Sequence, residues 1–259
     1  MNTAKDDRVS EVLARLANVT DPELDEPVTD LGFVTDVTVN ATGWVAVGFR
    51  LPTYWCAANF AFLMADDMHR AVAALPWVSG VRVTLGDHMY AETINRATET
   101  GLSFQEAFAE EADGDLGDVR RIFAMKAFQR RQMVLLDCLL ATGCSVSAVL
   151  ALTIGGLAAL ILGPGEHAAR ERYLELRPMP GPAGLTQAAF VDEAGCPVTV
   201  AGYDAHRRAL RRVAVNVEFN GALCRGLLAA RFNEVAPAGE PTLLDFVRGH
   251  VPERPVAQA

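Results

Sequence analysis

WVAVGFRLPTYWCAANFAFLMADDMHRAVAAL, residues 44–75, changes its hydrophobic period halfway along, and that change decides the fold. Val45, Val47, Phe49 and Leu51 alternate with Ala46, Gly48 and Arg50, the period of two expected of a strand buried on one face. From Phe60 the apolar positions Phe60, Leu63, Met64, Val72 and Leu75 recur at helical spacing. The turn PTYW lies between the two patterns, so Cys56 falls at a strand-to-helix junction. Free amide hydrogens and the positive end of the dipole at a helix start favour an anion, so a thiol there is expected to ionise more readily than a free one. The thiolate is the form that attacks electrophiles and binds metal, which makes Cys56 a functional candidate. The alternative is a small hydrophobe that merely packs.

Outward from this stretch the pattern extends in both directions. Residues 5–18 place Val9, Val12, Leu13 and Leu16 on one face of an amphipathic helix. The run VTDPELDEPVTDLGF, residues 19–33, carries two prolines and five acids, too polar for a strand and too proline-rich for a helix interior, and reads as a loop. A strand from Phe33 to Val39 is expected to pair through the turn NATG with the Trp44 to Leu51 strand. After the Cys56 helix, PWVSG turns and VRVTL makes a third strand. The order helix, strand, strand, helix, strand describes a compact α+β domain ending near residue 90. Helices over 88–98 and 103–111 trail it, the latter opened by a capping box of Ser103 and Glu106. The expected domains are thus 1–112 and 116–259, with EADGDLGD as the hinge.

The second region is expected to begin with a long helix, Val119 to Leu140. The stretch from Cys138 to Gly165 has no charge, but Thr142, Gly143 and Ser145 read as one helix stopping and another being capped. A buried helical hairpin is therefore favoured over a membrane span. A helix-turn-helix reading fails because the presumed reading helix has no Arg, Lys, Asn or Gln to contact bases, so no nucleic acid is expected. Beyond it, RYLELR reads as a strand, AAFVDEAGCPVTV as a hairpin, DAHRRALRR as a basic helix, VAVNVEF as a strand and NGALCRGLLAARF as a helix around Cys224. This is a helical segment followed by a mixed α/β region. The loop PMPGPAG and the tail VPERPVAQA read as irregular.

Half of the 259 residues are apolar, enough for substantial cores. Five scattered cysteines, with no CxxC pair and no secretory leader, point to a reducing cytoplasm. Residues 1–115 hold 19 Asp and Glu against 7 Lys and Arg, whereas 116–259 hold 13 against 16. The acidic first part repels nucleic acid and suits a basic partner or the chain's own second part. There is no GxSxG, Walker loop, GxGxxG after a strand or HExxH, so a non-enzyme is expected. Asp66 and His69 share a helix face, but no matching ExxH supplies the other half of a di-iron site.

DPEL at Asp21 to Leu24, DLGF at Asp30 to Phe33, the hairpin, PTYWC at Pro52 to Cys56 and the helix leading to WVSGVRVTL together resemble the SufT/PaaD-like domain of iron-sulfur assembly factors. The resemblance covers about the first 90 residues and is closest to the PaaD branch, which accompanies a di-iron oxygenase of phenylacetate breakdown. In that family the cysteine handles iron or a nascent cluster, and the DPE and DLG loops lie near it. By position this implies Cys56 as cofactor-binding residue and Cys56, Asp21, Glu23 and Asp30 as metal ligands, with Thr53 beside them. The sequence departs from the family in Trp55 and Ala57, where a glycine and a proline are usual, and in GDHMYAE, which brings in His88.

One thiolate and a few carboxylates are too few soft ligands for a stored four-cysteine cluster, and suit transient iron or a transient iron-sulfur cluster instead. The resemblance implies an accessory maturation factor that helps assemble or insert iron or a cluster into a client metalloprotein, in particular a multicomponent oxygenase component. Its partners would be that client and the iron-sulfur assembly machinery, with a second protomer able to complete the site as a homodimer. Residues 116–259 would recognise the client. The alternative is a metal-independent chaperone or scaffold for an oxygenase subunit.

Overall fold

The computed structural model describes residues 3–108, 116–177 and 182–232. These divide into two compact units, the first made of 3–108, 116–120 and 220–232, the second of 121–177 and 182–219. The first region of the sequence thus regains a piece of helix from the far end of the chain. The sequence pattern, which keeps 116–259 together, contains no sign of this.

In the first unit, helix α1 (Thr3–Leu16) leads into a minimal ladder of β1 (Thr20–Asp21) and β2 (Glu26–Pro27). Strands β3 (Val34–Val39) and β4 (Trp44–Phe49) pair antiparallel, helix α2 (Ala58–Ala73) crosses over, and β5 (Gly80–Leu85) returns parallel to β4. The sheet order is β3-β4-β5. Helices α3 (Ala91–Thr100) and α4 (Phe104–Ala107) follow, and the expected capping box is present, with Ser103 N–H donating to Glu106 Oε2 at 2.8 Å. The order helix, strand, strand, helix, strand is the α+β arrangement read from residues 5–85. Val45, Val47 and Phe49 of β4 are buried together with Val81, Val83 and Leu85 of β5, and α2 covers them with Phe62, Leu63, Met64, Met68 and Val72. Each such side chain contributes roughly 1.5–3 kcal/mol by leaving water.

The β3–β4 turn is held by Asn40, whose Oδ1 accepts from Thr42 N–H at 3.0 Å and Trp44 N–H at 2.8 Å. Gly43 closes it at φ +88°, and a Cβ there would lie 2.4 Å from the carbonyl oxygen of Trp77. A side chain at that position meets both an unfavourable φ and unyielding backbone. Gly43→Ala is expected to lower stability by about 1–2 kcal/mol, measured as a shift in denaturant midpoint.

The second unit is helical. It contains the 121–141 part of α5 (Leu116–Ala141), then α6 (Val146–Leu150), α7 (Ile154–Ala158), α8 (Pro164–Leu176), a 3-10 turn (Pro182–Thr186) and the 203–219 part of α9 (Tyr203–Phe232). Between the end of α5 and the start of α8 the uncharged stretch holds two five-residue helices capped by Ser145, whose Oγ accepts from Ala148 N–H, and Thr153, whose Oγ1 accepts from Gly156 N–H. Among the described residues no helix is long and apolar enough to cross a membrane.

Two expected strands are helices. RYLELR lies in α8 up to Leu176, because its inward positions are Arg170, Tyr173 and Arg177, three and four apart. VAVNVEF lies inside α9, with Leu210, Ala214 and Val217 buried at helical spacing. The expected hairpin survives as the turn 192–195 and an isolated bridge between Val191 and Pro197. Polar side chains tie this irregular segment to the core. Tyr173 Oη donates to Ala189 O at 2.6 Å, Gln132 Nε2 donates to Val191 O at 2.9 Å, and Arg177 Nη2 donates to Ala188 O at 2.9 Å. Most of the hinge run, residues 178–181 of the proline loop and the C-terminal tail lie outside the described residues.

Candidate functional site

The DPEL motif builds a tight turn between β1 and β2. Asp21 is buried, and its Oδ1 accepts backbone N–H groups from Glu23 at 2.8 Å and Leu24 at 2.9 Å. Pro22 fixes φ at the first corner, and Asp25 takes a left-handed φ of 51° to turn the chain back. Burial pushes the Asp21 carboxyl up to about 6, against the two N–H bonds that favour its charged form. Loop chemistry therefore accounts for the position of Asp21 but leaves an acid held away from water. Glu26, also buried, meets Arg225 at 2.9 Å.

The DLGF motif forms the next turn. Gly32 sits at φ +70°, a conformation that glycine adopts freely, and a Cβ there would lie 3.5 Å from Leu228 Cδ2. Asp30 is exposed, with Oδ1 accepting from Thr29 Oγ1 at 3.2 Å.

Cys56 stands immediately before Ala57, the N-cap residue of α2, at the junction that the change of period marks. It is half-buried, and its sulfur lies 3.1 Å from Thr53 Oγ1. His88, to which the sequence assigns no role, fixes the backbone behind it. Its Nε2 lies 2.8 Å from the Cys56 carbonyl oxygen, while Nδ1 accepts from Tyr90 N–H at 3.1 Å. These partners assign the proton to Nε2, and burial lowers the imidazole's affinity for a second one despite the bond to Cys56. A neutral, buried histidine thus positions the loop that carries the thiol. Around the opening Tyr54, Trp55 and Met89 are exposed, Trp55 most of all at 72%. Trp55 is turned to solvent, and the Cys56 that follows it is half-buried.

Residues 220–232 of α9 lie along this same face of the first unit. Asn220 Nδ2 donates to Glu23 Oε1 at 3.1 Å, Arg225 pairs with Glu26, and Arg231 donates to Leu51 O at 3.1 Å and Asp87 O at 2.6 Å. The Arg50 guanidinium stacks over Phe232 with its carbon 4.1 Å from the ring centroid. Cys224 is half-buried on this segment. Burial first, then the negative charge of Asp21, Cys56 and Glu23, pushes its thiol up to about 12.

The four residues expected as metal ligands are therefore not gathered into one ligand set. Asp21 and Glu23 share the β1–β2 turn, Asp30 is at the surface of the following turn, and Cys56 is on the loop before α2. Among the described residues no three His, Cys, Asp or Glu side chains are placed to hold a metal ion. What is present is a half-buried thiol beside a hydroxyl, and a buried carboxylate on the β1–β2 turn. Asp66 is taken by Arg70 at 3.0 Å and Arg120 at 3.6 Å, so its pairing with His69 has no ligand character. The residues that sequence reasoning misses, His88, Asn220, Arg225 and Arg231, are polar groups acting across long sequence separations. For Asn220 and Arg231 the signal is their spacing with Cys224 on one helical face, and that spacing does not extend to His88 or Arg225.

Residues 10–85 match the family model described as iron-sulfur cluster assembly protein. The "Fe-S cluster assembly factor HCF101, chloroplastic" of Arabidopsis thaliana is 36% identical over 76 residues, 29% of this chain and 14% of that protein. The "Iron-sulfur cluster carrier protein" of Mycobacterium leprae is 34% identical over 79 residues, 30% of this chain and 20% of that protein. The chain thus spans a fifth or less of the length of these relatives. A solved structure of a domain of unknown function, DUF59, from Bacillus anthracis aligns with 39% of this chain and 96% of its own at 20% identity and a TM-score of 0.31.

Proposed function

We propose, from the premise that residues 10–85 are an iron-sulfur cluster assembly domain, that this chain is an accessory maturation factor. It holds iron or a nascent iron-sulfur cluster at Cys56 and passes it to a client metalloprotein, and the PaaD-like PTYWC motif favours a multicomponent di-iron oxygenase as that client. The observation that carries the reading is the setting of Cys56: half-exposed, at a helix start, its sulfur touching Thr53 and its backbone held by His88. A sulfur fixed in position but open on one side takes a soft cation and releases it when a recipient offers more ligands. The thiol proton leaves as the sulfur–metal bond forms, so the transfer is ligand exchange and needs no catalytic base. Asp21 and Glu23, on the neighbouring turn, supply negative potential and Asp30 stands further out. Residues 116–259 serve client recognition, in the cytoplasm.

A second reading, a scaffold that binds an oxygenase subunit without metal, is favoured by the exposed Tyr54, Trp55 and Met89, residue types that anchor protein interfaces. One substitution separates the two. Cys56→Ser is expected to reduce iron and sulfide loading under anaerobic reconstitution by about tenfold or more, with unfolding unchanged. Undiminished loading and client activation in that variant would remove the metal role and leave the scaffold.

A further inference from the structure

We infer that Cys224 is the second thiol of the Cys56 site, delivered by the last part of α9, and that the two sulfurs together take a thiophilic divalent cation. The inference rests on the reading of Cys56 as a metal-handling thiol and adds a ligand from outside the matched residues 10–85.

Residues 220, 224, 228 and 231 share one face of a helix turning about 100° per residue. Both ends of that face are pinned to the first unit. Asn220 reaches Glu23, one turn before Cys224, while Arg231 reaches Leu51 O and Asp87 O, two turns after it. Between them Leu228 lies against Gly32, where a Cβ would be 3.5 Å from its Cδ2. The half-buried Cys224 lies on this pinned face, within electrostatic reach of Asp21, Glu23 and Cys56. Cys56 is near enough for its charge to act on the Cys224 thiol. Its carbonyl is tied to His88, the residue after the Asp87 that Arg231 holds.

A single sulfur binds such an ion weakly, whereas two held on a folded frame act as a chelate. Thiolates select soft and borderline ions over magnesium or calcium. Two sulfurs also leave coordination positions open, consistent with the lack of any three preplaced ligands among the described residues. Binding breaks two S–H bonds, forms two sulfur–metal bonds and releases two protons to solvent, with no electron transferred.

The test uses the full chain with Cys138→Ala, Cys144→Ser and Cys196→Ser as parent. Dibromobimane, which fluoresces only after bridging two neighbouring thiols, is expected to label the parent and to give no signal in either Cys56→Ser or Cys224→Ser. Anaerobic titration with Co²⁺ is expected to give sulfur-to-cobalt charge-transfer bands whose intensity per cobalt falls to about half in Cys224→Ser, with affinity about tenfold weaker. Cys224→Ala, checked for unchanged circular dichroism, is expected to behave as the serine variant does. Cobalt bands that vanish with Cys56→Ser but persist unaltered with Cys224→Ser overturn this inference and leave the role of Cys56 standing. A parent chain with no such bands overturns both.

Discussion

Arg225→Ala is expected to destabilise the first unit by about 3–5 kcal/mol. Arg225 and Glu26 are 12% and 11% exposed as side chains and meet at 2.9 Å, so the alanine removes a guanidinium that faces a largely buried carboxylate. A surface pair would be worth a fraction of this. The asymmetry between breaking and replacing such a pair provides the check. Arg225→Leu combined with Glu26→Leu is expected to recover most of the loss, since neither charge then needs solvation. All three tryptophans, Trp44, Trp55 and Trp77, lie in the first unit, so their fluorescence during urea unfolding of the whole chain reports that unit. An Arg225→Ala midpoint equal to wild type would show that residues 220–232 are not held by this pair.

Asp21→Asn acts in the opposite direction. The folded carboxyl titrates at about 6 against an ordinary 3.8, so the fold prefers the protonated form. The stability it contributes is fully present below pH 3.8 and is lost as pH rises through about 6. At pH 7 the group is charged and buried, at a cost of up to about 3 kcal/mol. Asparagine keeps an oxygen to accept from Glu23 and Leu24 N–H and removes the charge. In metal-free protein with chelator present, the variant is expected to be more stable than wild type at pH 7 and equal to it near pH 4. A variant less stable at pH 7 would mean that the acid contributes to the fold in its charged form. If stabilisation is accompanied by weaker iron loading, Asp21 is retained for the cargo at the expense of stability, as functional acids commonly are.

How far these features are legible in the sequence follows from what kind of side chain faces inward. The hairpin and α2 announce themselves because Val45, Val47 and Phe49, then Leu63, Met64 and Val72, are apolar at the positions that become buried. The cysteine junction follows from the same switch of period. In α8 and at its C-cap the buried positions are Arg170, Tyr173 and Arg177, which an apolar count passes over, so the local alternation of Tyr173 to Arg177 imitates a strand. In α9 the valines at 213, 215 and 217 alternate over too short a window, while the wider spacing of Leu210, Ala214 and Val217 carries the true period. At the site, motif positions identify the turn of Asp21 and the loop of Cys56. The bonds from His88, Asn220 and Arg231 join groups 32 to 197 residues apart, and no local pattern encodes such distances.

A separation longer still has a temporal meaning. Glu26 and Arg225 are 199 residues apart, so a ribosome adding about 5–20 residues per second presents the acid roughly 10–40 s before its base. During that interval the nascent sheet can assemble, yet the acidic turn stands open beside a lone sulfur. On the proposal that two sulfurs capture the cargo, capture has to wait for the closing helix to emerge, which would tie metal loading to translation through residue 232.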